Sequence, residues 1–398
     1  MRPRLFALGL ALELAVFGCA SSRALAASSP YRLTAKPAVH EQSVPWQLVD
    51  ATVFSPVTRL LRRPRPSVDL ADGGVPDTSF FTNRDIASLS PAAIQAGPTE
   101  PGHRAQPPFT VTRLKDEGKT AGLFVKDAKG DRYLFKFDFI GRPDLITGAE
   151  VVSSKLLHAL GYYVPSYEIE QARVSDFRIE DGQGIEAEDV RRVLAPRVRG
   201  GTVRMSASRL VDGEILGSFR SKDYRDLAEL RALRLAYAWI NNTDAKDHNT
   251  LMVWTGDRAI GYLIDFGSSL GGDAERGAKR PCQGWTNDVD LQVWTAELLT
   301  FGLYDSGCKL SDRPYSTGVG LLSSRFDPRR WKPYAPNFAF EEMTREDARW
   351  MAGRLARFTR EQLAAAVAAG RYGRREDAQY LIEVLDARRQ QIVEVYRP

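Results

Sequence analysis

The sequence predicts an α+β protein of two unequal parts. A small antiparallel β-rich unit with one helix is followed by a larger, mainly helical unit that contains a β-hairpin. Three observations lead to this reading. Between residues 109 and 137, short apolar runs alternate with Gly-containing polar turns, the pattern of a β-meander. From residue 148 onward, apolar residues recur at helical spacing in several separate stretches. One stretch, 250–264, interrupts the helical series with two apolar runs around Thr255-Gly-Asp257, a hairpin signature.

The elements follow in order. Arg2 and Arg4 precede a mostly apolar stretch, Leu5 to Phe17, too short to span a bilayer, so residues 1–26 read as an export signal. Two processing sites compete. Ala24-Leu25-Ala26 fits a signal-peptidase site with a mature start at Ala27, whereas Val16-Phe17-Gly18-Cys19 resembles a bacterial lipobox in which Cys19 would carry a lipid anchor. Glu13 interrupts the apolar run under both readings. The expected location is the periplasm or envelope of a bacterium. No other segment is long and apolar enough to be transmembrane, so no spanning helix is expected in the mature chain.

Residues 27–107 are irregular and Pro-rich (Pro64-Arg-Pro66, Pro98, Pro101, Pro107-Pro108) and read as an extension rather than an independent domain. Its apolar runs, Leu48 to Phe54 and Phe80-Phe81, are suited to packing on the main body. Residues 108–210 make the first unit. Strands are expected at Phe109 to Leu114, Leu123 to Lys126 and Tyr133 to Phe137, and a helix from Gly148 to Leu160 with Gly161 as its stop. Two more strands, Tyr167 to Glu170 and Val203 to Leu210, flank a Gly/Glu-rich loop. Residues 211–398 make the second unit. A helix is expected from Lys222 to Ile240, hairpin strands at Thr250 to Trp254 and Ile260 to Ile264, then helices capped by Thr344 and Thr359. Thr359-Arg-Glu-Gln362 fits a capping box, and Leu381, Leu385 and Ile392 mark a last helix. Trp285, Trp294 and Tyr304 read as core of the 268–335 stretch.

Composition narrows the function. The chain has 398 residues, 43% hydrophobic and 26% charged, enough for real cores. A net charge of +5 over this length, without a Lys/Arg block or basic–aromatic ladder, argues against nucleic acid as a partner. Of three cysteines, Cys282 and Cys308 remain after processing, either paired or as two thiols. The four histidines are scattered, and no Cys/His spacing suits a metal site.

Two segments carry the chemistry: Asp244-Ala-Lys-Asp-His-Asn249 and Leu263-Ile-Asp265-Phe-Gly267. They lie at the entry and exit of the hairpin, and an antiparallel hairpin returns the chain to its start, so Asp244, Asn249 and Asp265 should converge. Phosphoryl transfer needs one carboxylate to accept a hydroxyl proton, and an Asn and an Asp to hold the metal that neutralises the phosphates. Each residue also has a plainer reading. Asp244 could be a loop acid, Lys136 a solvent-facing strand residue, and Glu150 a first-turn charge favoured by the helix dipole.

Taken together, these residues resemble the protein-kinase-like fold over roughly residues 109–360. Asp-x-x-x-x-Asn followed by Asp-Phe-Gly looks like the core shared by protein kinases, with variants in phosphatidylinositol 3/4-kinases and HipA-type toxin kinases. The resemblance implies a two-lobed fold and a nucleotide cleft that takes ATP and Mg2+. It implies that Asp244 is the catalytic-loop acid, that Lys246 contacts the transferred phosphate, and that Asn249 and Asp265 bind metal. Lys136 would contact the nucleotide phosphates, Glu150 would be its ion-pair partner, and Gly118, Lys119 and Gly122 would belong to a phosphate-covering turn. Asn242-Thr-Asp244 replaces His-Arg-Asp, two glycines replace the usual three, and Ala-Pro-Glu is absent, which implies an atypical branch. The expected function is an ATP- and Mg-dependent phosphotransferase acting on an unknown hydroxyl acceptor, protein or small molecule. The competing readings are an exported pseudokinase or nucleotide-binding scaffold, and a nucleotidyl transferase.

Overall fold

The computed structural model describes residues 32–40, 43–54, 65–71, 74–101, 103–116, 118–179, 184–287, 291–301, 303–304 and 314–397. Residues 1–26, read above as an export signal and including Cys19, and Cys308 lie outside the described residues.

Among the described residues, two short α-helices, α1 (Val44–Val49) and α2 (Pro91–Ala96), precede the sheet. Strands β1 (Phe109–Leu114), β2 (Gly122–Lys126) and β3 (Arg132–Lys136) form the expected antiparallel meander, with Gly122 opposite Lys136. Helix α3 (Leu145–Leu160) follows, then β4 (Tyr167–Ala172), β5 (Phe177–Ile179), α4 (Ala187–Leu194), β6 (Val198–Arg199) and β7 (Thr202–Arg209). The sheet order is β4-β7-β3-β2-β1-β5, with β6 paired to β7. Its core holds Phe109 and Phe135, packed edge to face at 4.9 Å, together with Val111, Leu123 and Met205. Each fully buried Phe contributes roughly 2–3 kcal/mol of apolar transfer.

Helix α3 begins three residues earlier than the expected Gly148. The reason is a non-local cap. The Asp138 carboxylate accepts from the backbone N–H groups of Asp144, Ile146 and Thr147 and from the Thr147 hydroxyl. It satisfies the orphan donors of the first turn from outside the helix. At the other end Gly161 closes the helix at φ +118, and a Cβ there would meet Phe81 at 2.3 Å, so both backbone and packing require glycine.

The second lobe contains β8 (Glu214–Ile215), α5 (Ala228–Ile240), β9 (Thr250–Trp254), β10 (Ala259–Leu263), β11 (Gly272–Asp273), β12 (Gly277–Ala278), α6 (Leu291–Leu299), α7 (Arg345–Ala356), α8 (Arg360–Ala369) and α9 (Arg375–Tyr396). Helix α5 starts six residues after the expected Lys222. Asp69, from the N-terminal extension, accepts the Ala228 N–H at 2.7 Å, while Arg220 folds back on Asp223 and holds the preceding residues in a turn. Thr344–Asp347 and Thr359–Gln362 both form capping boxes, on α7 and α8.

Residues of the extension enter the main core. Phe80, Phe81, Ile86 and Ile94 are buried, and the Phe81 ring meets Tyr162 at 5.7 Å and Trp350 at 5.2 Å. The extension also covers one edge of the hairpin. The β10 donors Ala259 N–H and Gly261 N–H go to the carbonyls of Leu33 and Ser79, and Leu263 N–H goes to Tyr163.

One expectation fails. Trp294 is 51% exposed and Tyr304 37%, and Phe301 beside them is 95% exposed, so these aromatics are not core. Trp285 is half-buried, with the Arg330 guanidinium 5.5 Å from its ring. Aromatic content is not itself a burial signal, and none of the side chains described in α6, from Val293 to Leu299, is buried. Cys282 is disulfide-bonded, which settles the thiol alternative for that residue. Among the described residues, no helix is long and apolar enough to cross a membrane.

Candidate functional site

Between the sheet and the hairpin lies a cleft of about 690 Å³. Lys136, Asp244, Lys246, Asn249 and Asp265 all line it, as do Gly118 and Lys119. The hairpin explains the convergence. Thr250 pairs with Leu263, so the chain enters β9 beside the point where it leaves β10.

Lys136 ends β3 and is buried. Its ammonium lies 2.7 Å from Glu150 Oε1 and 3.0 Å from Asp265 Oδ1. Burial works against its charge, but Asp265 first and Glu150 next outweigh it and hold the lysine pKa above its ordinary value. Glu150 is fully buried on α3, and that burial pushes its pKa up against the pull of Lys136. Asp265 moves the other way: burial would raise it, but the Lys136 charge wins and holds it below the usual carboxylate range. Glu150 is therefore no solvated first-turn charge, and Lys136 does not face solvent. Glu150 Oε2 also accepts the Phe266 N–H at 3.1 Å, which ties α3 to the Asp265-Phe-Gly267 turn.

The Asp244–Asn249 segment is set by its own hydrogen bonds. The Asn249 side-chain nitrogen donates to the Asp244 carbonyl at 2.8 Å, which fixes the amide so that its oxygen is left for another partner. Asp244 Oδ2 accepts from Lys246 at 3.1 Å. Asp244 Oδ1 is buried and has no hydrogen-bond partner. Lys246 also stands 6.0 Å from the Tyr334 ring, and Tyr334 N–H donates to the Thr243 carbonyl.

The glycine turn is divided. Gly118, at φ +70, and Lys119 line the cleft. Gly122 stands in β2 and is not among the lining residues; a Cβ there would meet the Phe135 carbonyl at 2.8 Å and Lys115 at 2.9 Å, so its glycine lets two strands approach. Thr120, beside Lys119, donates its hydroxyl to the Ala274 carbonyl at 3.1 Å and bridges the mouth of the cleft.

Sequence reasoning missed several lining residues. Phe124 and Leu134 from the sheet face Leu251 and Ile264 from the hairpin across the cleft, an apolar slot suited to a flat ring. Tyr167 on β4 accepts the Asp265 N–H at 3.3 Å and packs on Phe266 at 5.7 Å. Its hydroxyl stays neutral, because burial and the Glu150 charge raise its pKa. Apart from Ile264, which directly precedes Asp265, none of these residues belongs to a motif. Leu134 alone had a signal, standing two before Lys136 on the same strand face.

Comparison with known proteins yields little by sequence. No family model matches the chain, and no curated protein matches it. Among solved structures, the crystal structure of a Helicobacter pylori proinflammatory kinase, CtkA, is similar at 12% identity and a TM-score of 0.38, covering 74% of this chain and 97% of that one.

Proposed function

We propose that this protein is a phosphotransferase that uses ATP with Mg2+ to phosphorylate a hydroxyl acceptor, protein or small molecule. The observation that carries the reading is Asp244 Oδ1, a buried carboxylate oxygen with no partner, on the cleft that also holds the Lys136–Glu150–Asp265 cluster. An unpartnered buried acceptor costs about 1–3 kcal/mol. A general base must offer an oxygen to a substrate O–H, and Oδ1 is the Asp244 carboxylate oxygen that no protein group uses, Oδ2 being held by Lys246.

The residues present suit a magnesium ion. Asn249 offers its amide oxygen, and the Asp265 carboxylate is 33% exposed toward the cleft. Among the described residues, no cluster of three or more His, Cys, Asp or Glu could hold a metal unaided. Mg2+ commonly takes one or two protein oxygens and completes its shell with phosphates and water. The ion would neutralise charge on the phosphates.

The other steps belong to the chain. The Phe124, Leu134, Leu251 and Ile264 slot would receive the adenine. Lys136, steadied by Glu150, would bind phosphate oxygens, and Lys119 with the Gly118 backbone would cover them. Asp244 would orient the acceptor and take its proton, while Lys246 offsets charge on the moving group.

Two measurements test this. Mg2+ with ATP should raise the melting temperature above that of either alone. Asp244→Asn should keep that shift and lose phosphate transfer. A wild-type protein unmoved by any nucleotide, or a variant that transfers at the wild-type rate, would falsify the reading; a nucleotide adduct by intact mass would reassign it to nucleotidyl transfer.

A further inference from the structure

The Asp265-Phe-Gly267 turn is fastened at more points than its motif announces. Glu150 Oε2 takes the Phe266 N–H, and the Tyr167 hydroxyl takes the Asp265 N–H. A third fastening lies one turn further on. The Ser153 and Ser269 hydroxyls are 2.6 Å apart and both fully buried, and Ser269 donates to the Phe266 carbonyl at 2.6 Å. Of the two carbonyls within reach of the Ser269 hydroxyl, Phe266 at 2.6 Å is far closer than Ala149 at 3.5 Å; with its one hydrogen on Phe266, Ser269 accepts from Ser153. The result is a directed chain, Ser153 to Ser269 to Phe266, running from α3 into the turn.

The turn needs holding. Asp265 at φ +60 and Leu270 at φ +48 are both left-handed without being glycine. That conformation is unfavourable for residues with a Cβ and persists only when the surroundings impose it.

We infer that Tyr167 and the Ser153–Ser269 pair are positioning residues that latch the turn onto β4 and α3, so that the Asp265 carboxylate is presented to the cleft beside Lys136. The inference rests on the phosphotransferase reading for its purpose, not for its geometry. If the turn swung outward, the Ser153 hydroxyl and Glu150 Oε2 would be left in the core without partners. Helix α3 and Asp265 therefore move together or not at all, and the latch is built from the fold's own hydroxyls.

The test uses the full chain and two conservative variants. Tyr167→Phe keeps the ring against Phe266 and removes the hydroxyl; Ser153→Ala removes the donor at the start of the chain. In the nucleotide-free protein, amide hydrogen exchange at Asp265 and Phe266 should quicken about tenfold in each variant, the effect of losing one net hydrogen bond. The Mg2+ concentration that half-saturates stabilisation by ATP should rise by a similar factor, while ATP binding by Ser153→Ala in EDTA stays at the wild-type level. Unchanged exchange in both variants overturns the latch. Faster exchange with wild-type Mg2+ dependence overturns its positioning role. If the wild type binds no nucleotide, the phosphotransferase reading falls and the exchange rates alone decide the latch.

Discussion

Helix α3 supplies one partner to each of two buried lysine–glutamate pairs, Lys136–Glu150 and Lys155–Glu168, and both close to 2.7 Å. Their surroundings differ. Lys155 gives its other donors to the Ala96 carbonyl at 2.8 Å and the Thr99 hydroxyl at 3.2 Å, so all three are spent on the protein. Burial then dominates, and its pKa falls below the ordinary lysine value. Lys136 instead faces a second carboxylate, Asp265, and its pKa rises. One pair is balanced and sealed between α3, β4 and the segment after α2. The other carries one carboxylate more than its lysine needs, on the side open to the cleft. Two ion pairs of the same length thus separate by the charge left over into a fastening and, on the function proposed above, a binding site.

The separation can be broken experimentally. The largest effect is expected for Asp265→Ala, which should slow phosphate transfer by about 10³-fold, roughly 4 kcal/mol of barrier, with little change in melting temperature. Transfer within tenfold of wild type would erase the distinction. Lys155→Met strands Glu168 and two further acceptors, and should cost about 3 kcal/mol of stability in urea titration. The affinity of the folded protein for nucleotide should not move; if it does, the two pairs are not separate devices.

A third prediction concerns pH at the Lys155 end of the helix. Burial, then the charges of Arg84 and Lys155, hold the His158 pKa down to about 3, against an ordinary 6.5. Below pH 6.5 the unfolded chain takes up a proton that the folded chain refuses. The stabilisation is therefore complete above 6.5 and is lost as pH falls toward 3, by at most about 1.4 kcal/mol per unit. Half-burial of the ring makes the real slope smaller. His158→Gln should flatten it, and an unchanged slope would remove His158 as its source. The smallest effect is expected for Thr120→Val, which removes the bridge to Ala274 and should speed nucleotide release about threefold in stopped flow. Identical release would show that the bridge does not restrain the cleft.

Much of the frame was legible because the signals were local. The period-2 runs of the meander gave β1 at its observed bounds, and Thr359-Arg-Glu-Gln362 gave the α8 cap. Asp244, Asn249 and Asp265 were legible because a hairpin closes on itself. What the sequence hid was set by partners far along the chain. Asp138 starts α3 and Asp69 starts α5, and neither leaves a cap signature next to its helix. Helix α4 buries only Val190 and Leu194, too short an apolar stripe to stand out in a Gly/Glu-rich segment. Tyr167, Ser153 and Ser269 are ordinary residues in strand, helix and turn, and only the fold brings them to one another.

The covered edge of β10 has a consequence for how the chain is made. Its ladder is completed by Leu33 and Ser79, which leave the ribosome roughly two hundred residues before Ala259 and Gly261. Until the strand emerges, those carbonyls have no ladder to join. Until they return, β10 offers bare N–H groups to any neighbouring molecule. Trimming the extension beyond Ser79 to obtain a shorter protein would leave that edge bare permanently, and self-association through it would be the first sign.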